Sequence, residues 1–60
     1  MEFSDVEVLA ANALVLLCRV RGKIVGVSPL RILPGTTIAR TGDRGILVLD
    51  RELACELGLI

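Results

Sequence analysis

Sixty residues allow a single domain, and a domain that small is marginal unless a disulfide, a metal or a partner supports it. Hydrophobic residues make up 53% of the chain, Phe3 is its one aromatic, and Trp, Tyr and His are absent. Single-strand nucleic-acid binding by base stacking is thereby excluded, as are histidine-based acid/base chemistry and histidine metal ligation.

Formal charge sums to zero but is unevenly placed. Glu2, Asp5 and Glu7 make the first 18 residues acidic. Arg19, Arg21, Lys23, Arg31, Arg40 and Arg44 then oppose Asp43 alone. The last stretch is acidic again through Asp50, Glu52 and Glu56 against Arg51. Only the middle of the chain could attract an anionic partner.

The apolar run from Val8 to Val20 is interrupted by Asn12, carries Arg19 near its end and is followed by Arg21. It falls short of the ~20 apolar residues that a membrane helix needs, so no membrane partner is expected. Acids rather than bases precede it, which is the reverse of a secretion signal. Its periodicity does not separate helix from strand over residues 5–20. From Cys18 to Arg21, apolar and charged residues alternate as in a half-buried strand, and Ile24–Val27 resumes with β-branched residues. A Gly22-Lys23 loop of type II′ would join them, with Val20 opposite Val25, Arg21 opposite Ile24 and Arg19 opposite Gly26. One face of this hairpin is then apolar and the other basic.

Ser28-Pro29 ends that strand. Leu30–Leu33 reads as a short strand, Pro34-Gly35 as a type II turn, and Thr36–Thr41 as β-prone. Gly42-Asp43-Arg44-Gly45 reads as a further turn. Ile46–Leu49 is aliphatic without alternation, which predicts burial on both faces. Asp50 is placed to cap a short helix, with Glu52 in its first turn, Leu53 and Leu57 on one face, and Gly58 closing it.

A chain this short has too little interior for so much aliphatic surface. The excess predicts a subunit interface formed with copies of itself, a dimer in the simplest case, through Leu14, Leu16, Val25 and Val27. Cys18 and Cys55 lie 37 positions apart with no metal-ligand spacing. They read as reduced, buried thiols of a cytoplasmic protein. No nucleophile has a base beside it, no phosphate-cradling glycine motif occurs, and Asp43 and Asp50 stand at opposite ends of one strand. Neither an enzyme nor a cofactor is expected.

The stretch Arg40-Thr41-Gly42-Asp43-Arg44-Gly45-Ile46-Leu47-Val48-Leu49-Asp50-Arg51-Glu52-Leu53, with Leu57-Gly58-Leu59, resembles the strand–turn–strand–helix unit of the AbrB and MazE swapped-hairpin DNA-binding proteins. It is also similar to the double-psi barrels of AAA-ATPase N-terminal domains, another branch of the cradle-loop barrels. The likeness covers about a third of the chain. Asp50 stands where the DNA-binding branch has Pro, and the front half has no counterpart there. The family helix is followed by two more strands, which the Cys18–Val27 hairpin would have to supply by permutation or from a neighbouring subunit. The resemblance implies a mainly β fold with one short C-terminal helix, a small cradle-loop-like β-barrel completed by homo-oligomerisation. It further implies duplex DNA as a partner, as in a transcriptional regulator or antitoxin. Arg40 and Arg44 would enter the major groove and Arg19, Arg21 and Lys23 would contact phosphates. The alternative is a non-enzymatic self-assembling structural or adaptor module.

Overall fold

The computed structural model describes residues 1–60. Four antiparallel strands form one open sheet, β1 (Glu2–Ala11), β2 (Leu16–Val20), β3 (Lys23–Val27) and β4 (Arg44–Val48), in the order β3-β2-β1-β4. A single helix, α1 (Arg51–Glu56), follows β4. The residues that periodicity left undecided are thus strand: β1 and β2 form a hairpin across residues 12–15.

Two bulges shape β1. Phe3 pairs with Leu47 but Val6 with Gly45, so β1 carries one extra residue at Ser4-Asp5. A second slip lies between Val8 and Ala10, opposite Cys18 and Leu17. In a flat strand Phe3 and Val6 would point to opposite faces. The first bulge, where Asp5 takes φ 58°, turns both inward and bends the strand around the core.

The β2–β3 hairpin keeps its apolar and polar faces, but its pairing differs from the predicted one. The loop is Arg21-Gly22, with φ 52° and 79°, the conformation of a type I′ turn. Val20 therefore faces Lys23, Arg19 faces Ile24 and Cys18 faces Val25, so each β2 residue meets a β3 residue two places earlier than predicted. An arginine in the left-handed region costs on the order of 1 kcal/mol. Its guanidinium offsets that by lying 5.2 Å from the centroid of the Phe3 ring and donating to the Leu59 carbonyl. A contact far along the chain has overridden the local preference for Gly at the first loop position.

Residues 28–43 cross from β3 to β4. Leu30–Leu33 is not a strand: Pro29–Arg31 form one 3-10 turn, because Pro29 lacks the N–H of a ladder and presets a helical φ. The Pro34-Gly35 turn forms as expected, with Gly35 at φ 100°. The later turn is shifted. It runs from Arg40 to Asp43, closed by Asp43 N–H donating to the Arg40 carbonyl, with Gly42 at φ 92°. Arg44 and Gly45 already belong to β4.

Thr36–Thr41 is not a regular strand either, yet it lines β4. Leu33 and Thr37 donate backbone N–H groups to the carbonyls of Val48 and Ile46. In return Val48 and Ile46 donate to the Thr36 and Thr37 hydroxyls, each at 2.9 Å. Threonine side chains have replaced carbonyls as acceptors for that edge. Beneath this cover Leu47 and Leu49 are buried while Ile46 and Val48 are half-buried, so β4 alternates instead of being buried on both faces.

Asp50 caps α1 by accepting from Leu53 N–H at 2.8 Å, a contact typically worth about 1 kcal/mol. At the other end Leu59 N–H donates to the Ala54 carbonyl and Gly58 N–H to that of Cys55, with Gly58 at φ 75°. This is a Schellman closure, and it folds Leu59 back under the helix. Leu53, Ala54 and Leu59 thereby join a 14-residue core with Phe3, Val6, Val8, Leu47 and the inward side chains of β2 and β3. Cys18 lies in that core and burial pushes its thiol pKa up. Cys55 corrects the expectation of two buried thiols: it is exposed on the outer face of α1.

The chain's accessible surface is 3792 Å², against about 3,800 Å² for a monomeric protein of its 6.4 kDa mass. One copy thus exposes no more surface than an ordinary monomer of its mass, and its 14 buried residues are all apolar. Six large apolar side chains stay exposed, Leu30 (95%), Leu14 (83%) and Ile24 (56%) furthest, then Ile60, Met1 and Leu33.

Candidate interaction surfaces

The pairing registers align Arg44 of β4, Glu7 of β1, Arg19 of β2 and Ile24 of β3 in one row across the sheet. Glu7 accepts from Arg19 at 3.1 Å and lies 3.8 Å from Arg44, which also approaches Asp5 at 3.7 Å. With Arg21, Ser4 and Gly22 these residues line a polar cleft of about 310 Å³. It holds three arginines against two carboxylates. Such exposed pairs stabilise the fold by roughly 0–1 kcal/mol each. A phosphate brought to this cleft would have to compete with Glu7 and Asp5 for the same donors.

Of the five expected nucleic-acid-binding residues, the fold brings Arg19, Arg21 and Arg44 to this cleft. Arg21 is shared with Phe3 and the Leu59 carbonyl. The Lys23 ammonium lies against Gly58, where the last carbonyls of α1 carry partial negative charge. Arg40 is exposed in the Arg40–Asp43 turn and forms no ion pair. Asp43 accepts from the Ala39 and Arg40 N–H groups, each at 2.9 Å, and these bonds hold its carboxyl below the usual range. Arg31 bridges Asp50 and Glu56, both at 3.6 Å. Three of the six mid-chain bases, Arg19, Arg31 and Arg44, are thus matched by acids from the flanking segments.

Among the residues expected at a subunit interface, Leu16, Val25 and Val27 are consumed by the core of a single chain. Leu14 remains outside, at the tip of the β1–β2 loop, which Asn12 organises by accepting from the N–H groups of Leu14 and Val15.

The two sheet edges differ. The outer edge of β4 is covered by Leu33–Thr37. A two-residue loop makes Val20–Lys23, Cys18–Val25 and Leu16–Val27 the hydrogen-bonded pairs of the hairpin. The N–H and C=O of Ile24 and Gly26 consequently point away from the sheet. None of the backbone bonds outside the ladders and helix involves residues 23–27. The sequence hid this edge because Ile24-Val25-Gly26-Val27 carries no charge or proline to mark it.

No side-chain cluster in the fold has the makings of a metal site, and no helix is long and apolar enough to cross a membrane. The chain matches no family model, no curated protein and no solved structure.

Proposed function

We propose that this chain is a non-enzymatic module that works by associating with copies of itself. The observation that supports this reading is the asymmetry of the sheet: β4 is sealed by hydroxyl and backbone groups, whereas β3 offers unpaired backbone groups beside an exposed isoleucine. An unprotected edge is a template for a further strand. In this reading a second copy extends the open sheet instead of closing it into a barrel. The free thiols of Cys18 and Cys55 fit a reducing compartment such as the cytoplasm.

Duplex DNA is the second reading. Arg19 and Arg44 share one face, which favours it, while the carboxylates of Glu7 and Asp5 between and beside them oppose it. Light scattering with and without duplex DNA at two salt concentrations separates the two. Self-association predicts a mass that rises with protein concentration and is indifferent to DNA. A DNA-dependent mass that collapses with added salt, as counterion release demands, would establish the second reading in place of the first.

A further inference from the structure

We infer that the partner of β3 is β3 of a second copy, paired antiparallel about a two-fold axis through Val25. This rests on the self-association proposed above and assigns its surface. With Val25 facing Val25 of the other copy, Ile24 falls opposite Gly26, and Gly26 opposite Ile24. These are the residues whose N–H and C=O groups point outward, so both form hydrogen-bonded pairs, about four bonds in all.

The side chains fit the same register. Ile24 stands 56% exposed on the solvent face, and the residue it would meet has no side chain. A Cβ built on Gly26 would lie 3.1 Å from Val15 Cγ2, so Val15 borders the gap that glycine leaves. Leu17, half-buried, pairs with Gly26 on its other side. Ile24 of one copy would therefore lie over Gly26 of the other, between Val15 and Leu17, and the arrangement repeats across the axis. Lys23, the one charge on β3, does not guard the edge, because its ammonium is turned back onto Gly58 of its own chain.

The geometry also fixes the stoichiometry. A two-fold contact uses both open edges at once, and the resulting eight-stranded sheet ends on two sealed copies of β4. Growth stops at the dimer. A five-residue strand spans about 17 Å, and pairing along it buries less than the ~1,200 Å² of total area typical of stable complexes. The dimer is accordingly weak and concentration-dependent, in keeping with a monomer surface that is already of ordinary size.

Sedimentation equilibrium from micromolar to millimolar protein tests this with Ile24→Lys and the control Leu14→Lys, which is exposed but off the edge. The wild type is expected to pass from monomer to dimer and no further. Ile24→Lys should weaken dimerisation at least tenfold while Leu14→Lys leaves it unchanged. Circular dichroism checks the fold of each, and Ile24→Thr, which keeps the β-branch, should weaken dimerisation in the same direction. Undiminished dimerisation of the folded Ile24 variants overturns the β3 assignment but leaves self-association standing. Species larger than a dimer overturn the two-fold closure. A wild type that stays monomeric throughout removes self-association and this inference together.

Discussion

Phe3→Ala is expected to lower stability by about 3–5 kcal/mol and to leave the chain largely unfolded at room temperature. The ring is 1% exposed, and it is the one aromatic side chain in a core otherwise built from Leu, Val, Ile, Ala and Cys. Its removal opens a cavity that short aliphatic neighbours cannot refill. The Arg21 guanidinium also loses the surface over which it lies, and with that goes part of what holds Arg21 at positive φ in the type I′ loop. The damage should therefore extend beyond the cavity to the β2–β3 hairpin. Phe3→Leu, which retains most of the volume, should cost distinctly less. Urea titration followed by circular dichroism checks both; a loss below about 1 kcal/mol for Phe3→Ala would mean that Phe3 does not organise the core.

Gly45→Ala should destabilise the chain by about 2 kcal/mol, an unusually large effect for adding one methyl group to a strand. The φ of Gly45 is not in the left-handed region, so the backbone itself would accept alanine. The obstacle is Thr37, whose hydroxyl oxygen occupies the space that the new Cβ would need. Evicting that hydroxyl breaks its bond from Ile46 N–H and pulls away the Thr37 N–H that reaches the Ile46 carbonyl. Each bond contributes roughly 1 kcal/mol. Thr37→Val, which keeps the shape and removes the acceptor, should reproduce about half of the loss. A Gly45→Ala protein as stable as the wild type would show that Thr37 does not seal β4.

How far the sequence discloses this fold depends on whether the deciding contact is local. The Asp50 cap, the short helix and its Gly58 closure are legible because cap, dipole and C′ glycine act within a few residues of one another. The Pro34-Gly35 turn is legible for the same reason. The hairpin register is misread by one loop position because Phe3 and Leu59, distant in sequence, hold Arg21 where a glycine would be expected. The Thr36 and Thr37 hydroxyls read as strand signals, yet their bonds to β4 are made by side chains, which strand patterns do not anticipate. The basic middle of the chain is plain in the sequence, whereas its pairing with Asp5, Glu7, Asp50 and Glu56 depends on topology. The apolar excess points to a partner surface, but the residues singled out for it, apart from Leu14, lie in the interior. Ile24 stayed hidden inside a run of β-branched residues whose two faces only the register distinguishes.

Amide hydrogen exchange followed residue by residue in a dilute sample tests the sealed and open edges most directly. The Ile46 and Val48 amides, bonded to Thr37 and Thr36, should exchange slowly, whereas those of Ile24 and Gly26 should exchange nearly as fast as in an unstructured peptide. Fast exchange at Ile46 and Val48, or slow exchange at Ile24 and Gly26 in the monomer, would contradict the account.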